Sequence, residues 1–247
     1  MADNQKSDTS EEVVKKSSMP FLEHIEELRR RLIWSLVAIG VMTCISFGFA
    51  QYVYEFITAP LGDTKLHFTE ITGSFYAYLK ISLITGIFAA LPIVFYQLWK
   101  FIGPGLYKKE KKTILPMAFY STGLFLAGAA FCFFVVLPFA LDFLIHYGEG
   151  EMTPIITVSS YISFAGMLLL AFGLAFQLPV VGYFLGRIGV ITGKGLGRIR
   201  PYALVAILIV AAILTPPDVF SQLLLAVPLY ILYEITIIIV KISGSKK

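Results

Sequence analysis

A chain of 247 residues that is 57% hydrophobic and only 15% charged is not one soluble domain. Soluble domains carry about a quarter charged residues, and a single core could not hide this much apolar surface, so the excess faces lipid. The formal net charge of +4 is modest and lies beside apolar stretches, which marks it as a topology signal and excludes nucleic acid as a partner.

The first residues are polar, charged and serine-rich without an apolar centre. They exclude a cleavable signal peptide and predict a disordered tail over 1–19, ahead of a membrane domain over 20–241 and a short C-terminal tail over 242–247. Residues 20–32 read as an amphipathic helix at the membrane interface, with Phe21, Leu22, Ile25, Leu28 and Leu32 on one side. A spanning helix needs roughly 20 mostly apolar residues. Candidates run from about 32 to 54, 75 to 99, 114 to 144, 161 to 185, 201 to 214 and 219 to 240. The predicted fold class is therefore an all-α integral membrane protein with six transmembrane helices, the last two short and joined as a tight hairpin.

Eighteen of the twenty Lys and Arg residues fall in four clusters between these segments: the N-terminal stretch to Arg31, the loop Lys100–Lys112, the stretch Arg187–Arg200, and the C-terminus. Short flanking loops rich in Lys and Arg stay in the cytoplasm. The clusters alternate with loops that lack them, which predicts both termini inside and the loops at 55–74, 145–160 and 215–218 outside. Pro92, Pro138, Pro179 and Pro228 lie in or near the spans and invite kinks. Gly182 and Gly186 supply one GxxxG spacing for close helix packing.

No catalytic set is visible. There is no HExxH, GxSxG or phosphate-binding loop, no metal spacing around Cys44 and Cys132, and no facing pair of mid-span aspartates. His24, His67 and His146 are scattered and read as surface or interface histidines. Neither enzyme activity nor a metal or other cofactor is expected.

Function is therefore sought in binding surfaces. Glu27 precedes the first span; it pairs with Arg31 at i, i+4 on a solvated face or serves as a free carboxylate. Glu110 is the only acidic residue in the loop Lys100–Lys112; it balances charge or receives a cation, for which an arginine fork is well suited. Gln177 has apolar neighbours on both sides. Its amide needs a partner, either on another helix of this chain or on a separate subunit. Lys80 and Glu234 fall within apolar spans, where structural pairing is the first expectation.

Four stretches, in order and on this map of spans, resemble the TatC family, the multi-spanning receptor subunits of twin-arginine protein translocases. They are Phe21–Leu32, Ala59–Leu61, Leu91–Glu110 and Leu214–Gln222, and the resemblance extends from Met19 to about Lys241. It implies a multi-pass protein of the bacterial cytoplasmic (inner) membrane that exports folded proteins using the proton-motive force. It implies that Glu27 and Glu110 receive the paired arginines of signal peptides, with Arg29, Phe101, Pro104, Leu106 and Tyr107 in the same surface. It implies single-span TatA and TatB-type subunits, membrane lipid and further copies in a larger complex as partners, with Gln177 facing a partner helix. It implies that Pro60 and Asp218 are structural positions on the outer side. The family often has Glu where this chain has Gln177, so a mechanism requiring ionisation there is not expected. A small-solute or ion-coupled transporter, the main alternative, predicts a midplane site of ionisable groups, hinted at only by Gln177 and Lys80; an intramembrane hydrolase lacks its catalytic pair.

Overall fold

The computed structural model describes residues 4–62, 66–67, 71–102, 114–146, 155–214 and 219–244. Helix α1 (Asn4–Phe47) and the short α2 (Ala50–Thr58) are followed by α3 (Gly73–Ile102). Next come α4 (Ile114–Phe131), α5 (Leu137–His146), α6 (Val158–Ala175), α7 (Leu178–Arg187) and α8 (Gly193–Arg198), then α9 (Arg200–Leu214) and α10 (Val219–Gly244). Among the described residues, five stretches are long and apolar enough to cross a membrane; α9 is shorter.

Two boundaries move from expectation. Residues 4–19, predicted as a disordered tail, belong to α1. The segment expected at the interface is thus continuous with the first span. That span ends at Phe47 rather than near 54, because Gly48 and Phe49 turn back onto the carbonyls of Ile45 and Ser46 at 3.1 and 3.0 Å.

The last two helices are not both short. At 15 residues, α9 extends about 22 Å, less than the roughly 30 Å hydrocarbon core. By contrast α10 runs 26 residues, unbroken through Pro228 and past Lys241 to Gly244. Hydropathy alone stops at the first lysine, whereas the backbone meets no breaker until Gly244. Residues 242–244, expected in a tail, are therefore helical.

The four prolines act differently. Pro92 and Pro228 sit inside continuous helices. Pro138 follows a π-helical turn, Cys132–Val136, in which Leu137 N–H reaches back to Cys132 O. Proline cannot donate to the carbonyl four residues earlier and its ring crowds that carbonyl, so the preceding turn widens by one residue. Pro179 sits in the first turn of α7, where a missing donor costs nothing, just after α6 breaks at Phe176–Gln177.

Small residues set the helix crossings. A Cβ at Gly86 in α3 would lie 2.6 Å from the Thr43 backbone in α1. The Gly182–Gly186 pair does bring helices close: Cβ atoms there would lie 2.4 Å from Thr236 Cγ2 and 3.0 Å from Val240 Cγ1, both on α10. Gly128 and Gly173 fit beneath the rings of Phe176 and Phe125. The main core joins α2 to α6, α9 and α10 around Phe172, Leu168 and Ile162; Tyr161 is buried there and its hydroxyl donates to Ile57 O at 2.5 Å.

The helix ends sort into two groups. His24, midway along α1, meets the end of α3, Trp99 near the end of α3 reaches Ser121 of α4 and Phe184 of α7, and Tyr233 of α10 reaches α8. At the other end, His67 and Thr157 form a single bridge, and Pro60 lies in a 3₁₀ turn (Ala59–Leu61) closed by Gly62 at φ 58°. Among the described residues, the basic clusters gather at the first of these ends.

Candidate functional site

In α1 the inward face carries the polar residues together with a few apolar ones. Going along the helix, Glu27, Ser35, Ala38, Ile39, Met42 and Thr43 are half-buried and Arg31 and Ser46 are buried, while Leu32, Trp34, Leu36, Val37, Val41 and Ile45 are exposed. Such a pattern suits a helix that gives its bulky side chains to lipid and its small ones to a neighbour. The neighbour is α3, antiparallel, with contacts at His24–Phe101, Arg31–Gln97 and Thr43–Gly86.

At the first of these contacts sits Glu27. The Arg31 guanidinium donates twice to Glu27 Oε1, through Nε at 3.1 Å and through Nη2. It also reaches Gln97 Oε1 from Nη1 at 3.4 Å. The i, i+4 pair is therefore formed, but not on a solvated face: Arg31 is only 8% exposed. Both donors go to one carboxylate oxygen. The other, Oε2, lies 3.9 Å from His24 Nδ1 and accepts no hydrogen bond among the described residues. His24 itself stacks on Phe101, with ring centroids 4.4 Å apart and planes at 14°.

Glu27 also lines a shallow recess with Glu23, Glu26, Arg29, Arg30, Ile33 and Trp34. Arg29 is exposed and shares this recess but not the seam with α3. The arrangement can hold a cation: one carboxylate oxygen is fixed from within by Arg31, and its twin is presented outward. Glu110, Pro104, Leu106 and Tyr107 lie outside the described residues, as does Asp218. Of the stretch Leu91–Glu110, Phe101 and Gln97 are the described residues that the structure joins to Glu27's neighbourhood, through His24 and Arg31. Sequence reading missed Gln97, His24 and the inward turn of Arg31. The alternation of small and bulky residues along α1 was the signal that could have found the last.

Gln177, Lys80 and Glu234 in the spans are engaged, whereas Thr43 Oγ1 in α1 is buried without a hydrogen-bond partner among the described residues. Gln177 is 9% exposed, and its Nε2 donates to Ser121 O at 3.0 Å, while Trp99 Nε1 donates to Ser121 Oγ at 2.8 Å. This is the internal hydrogen bond between helices that its apolar surroundings called for. Lys80 Nζ donates to Ser159 and Ser163 at 2.8 and 2.9 Å. Glu234 accepts from Arg200 at 2.7 Å and from Tyr230 at 3.1 Å. Lys80 and Gln177, the two hints of a solute site, thus bond to different serines of this chain. Among the described residues no group of His, Cys, Asp and Glu could hold a metal ion. Changing Gln177 to leucine is expected to cost about 1 kcal/mol by removing one interhelical bond. Denaturant titration of the purified protein checks this, and unchanged stability would show that the bond contributes nothing.

A bundle of membrane-length helices with small-residue crossings and a carboxylate at one end is the architecture of a polytopic membrane protein. Its relatives are consistent in kind. The family model for "Sec-independent protein translocase protein (TatC)" matches residues 23–228, so the chain belongs to the TatC family, whose members are transport subunits and not enzymes. It is 46% identical over 218 residues to the Helicobacter pylori (strain J99) protein of that name, covering 88% of this chain and 87% of the relative. To the Aquifex aeolicus protein it is 42% identical over 235 residues, 93% of this chain and 98% of the relative. The crystal structure described as "Twin Arginine Translocase Receptor- TatC" superposes with a TM-score of 0.81 at 42% identity, covering 89% of this chain and 99% of that one.

Proposed function

We propose that this chain is the receptor subunit of a twin-arginine translocase, and that Glu27 and Glu110 receive the two arginines of the signal peptide. The observation that carries this reading is the half-buried Glu27 carboxylate, with Oε1 held by Arg31 and Oε2 open beside His24 and Phe101. A guanidinium binds carboxylates with directed, charge-assisted hydrogen bonds. Arg29, Pro104, Leu106 and Tyr107 complete the surface, and their apolar members accept the signal's hydrophobic segment. The site faces the cytoplasm of a bacterial inner membrane, with both termini inside and α9 serving as the fifth of six crossings. Single-span TatA and TatB-type subunits, together with further copies of this chain, assemble around it, and the proton-motive force drives export of folded proteins. In this reading the Gln177 amide oxygen, which accepts no hydrogen bond among the described residues, is the atom a partner helix meets.

A photocrosslinking side chain at position 110 tests the reading directly. Crosslinks to a purified signal peptide with its arginine pair, and none to the same peptide with two alanines, are expected; equal labelling of both peptides would refute it. For the orientation, topology reporters near Lys65, Glu149 and Asp218 are all expected outside, and a cytoplasmic result at any of them breaks the six-crossing map.

A further inference from the structure

Lys80 is the only charged side chain of α3 between Gly73 and Trp99, and its partners are neutral. Nζ donates to Ser159 Oγ at 2.8 Å and to Ser163 Oγ at 2.9 Å, both on α6. An ammonium has three hydrogens to donate, and no carboxylate among the described residues takes the third. The Ser163 hydroxyl gives its own hydrogen to Ser159 O at 2.8 Å. That of Ser159 meets no acceptor among the described residues. The seam between α3 and α6 thus presents an N–H and an O–H side by side, beside a full positive charge.

This seam lies at the end of the bundle opposite Glu27. Helices α3 and α6 both start there, and Thr157, which caps α6, forms the bridge with His67. At 30 residues, α3 extends about 45 Å, the thickness of a bilayer with its headgroups. Lys80 stands about 10 Å along that length, and its ammonium reaches Ser159, the second residue of α6. The charge therefore sits where headgroups give way to hydrocarbon. Beside it the surface is apolar and open, with Leu79 39% and Leu83 49% exposed. The exposed rings of Phe75 and Tyr76 stand about a turn nearer the helix start, at the level where aromatic side chains mark the interface.

We propose that Lys80 and Ser159 bind the phosphate of an anionic phospholipid in the leaflet opposite Glu27, with an acyl chain along Leu83. A cation within a span is costly unless an anion or water meets it, and the two unused donors call for an oxygen acceptor of opposite charge. Phosphate already rests at this depth in a bilayer, whereas a carboxylate on a partner's helix would have to be desolvated to reach it. A zwitterionic headgroup brings its own cation beside the phosphate, so the net charge of the lipid decides. The exposed leucines suit an acyl chain and have no use for a free phosphate ion. The proposal rests on the chain being embedded in a membrane, and not on Glu27 reading a signal peptide, so either can fail alone.

The test replaces Leu83 of the full chain with a benzophenone side chain and reconstitutes the protein in vesicles of equal parts phosphatidylglycerol and phosphatidylcholine. Photo-adducts are identified by mass spectrometry. One basic residue near an anionic headgroup is worth about a fivefold preference, so phosphatidylglycerol adducts should exceed phosphatidylcholine adducts by about that factor. The same probe in place of Ile45, exposed on α1 near this end and within a stretch from Leu32 to Thr64 that has no Lys or Arg, should label the two lipids equally. K80Q should bring position 83 to the same equality, and the charge-keeping K80R should retain the preference with an unchanged thermal midpoint. Excess inorganic phosphate should leave the adducts unchanged. Equal labelling at position 83 with Lys80 in place, as expected if the ammonium awaits a carboxylate on a partner helix, would overturn the proposal. So would an equal preference at position 45, a preference that survives K80Q, or competition by inorganic phosphate. The comparison of positions 83 and 45 with Lys80 in place decides even where K80Q fails to fold.

Discussion

Replacing Glu27 with glutamine is expected to weaken binding of a twin-arginine signal peptide about 30-fold, and the double variant Glu27→Ala/Glu110→Ala is expected to abolish it. Truncating one partner of a desolvated charge pair costs about 2–5 kcal/mol. The Glu27 side chain is 25% exposed, so the lower end applies, and about 2 kcal/mol is about 30-fold in affinity. Glutamine keeps an oxygen for Arg31 and so leaves the seam with α3 intact; alanine would also leave the Arg31 guanidinium buried with only Gln97 to meet it. The glutamine variant therefore isolates recognition from packing. Binding is measured with a labelled peptide and the detergent-solubilised protein, and an unchanged affinity in the double variant would remove both carboxylates from the site.

The second large effect lies far from the carboxylate. Gly86→Val is expected to destabilise the protein by about 3 kcal/mol, the upper part of the usual range for overpacking, and to weaken peptide binding as well. Even the first added carbon would sit 2.3 Å from Thr43 Oγ1 and 2.6 Å from the Thr43 backbone. A rotamer change relieves the first clash but not the second, so the two helices must part. The same two helices bring His24 to Phe101 and Arg31 to Gln97. Gly123→Val in α4, where a Cβ would meet nothing within 4 Å, is the control and should leave both quantities near parental values. If Gly86→Val lowers stability without touching binding, the crossing does not position the site.

How much of this was legible in the sequence depends on the range of the interaction. Span positions are local sums of hydropathy, and the helices follow them closely. The failures came where a backbone event outranked hydropathy: Gly48 ended the first span early, and α10 ran on past Lys241. At the candidate site, the Glu27–Arg31 spacing was legible because it repeats with the helical turn. Which side of α1 faces the protein was not, because in lipid the usual rule inverts and bulky apolar residues point away. His24 and Phe101 are distant in the chain and meet only once α1 and α3 have paired, and Gln177 shows its partner, Ser121 O, only in the folded bundle.

The seam along α1 has a consequence for the order of synthesis. Every contact described around Glu27 comes from residues 23–101, and α1 packs chiefly on α3. Chains emerge N-terminus first. The Glu27 half of the site can thus be assembled as soon as the second long helix has entered the bilayer, before the remaining helices have emerged from the ribosome.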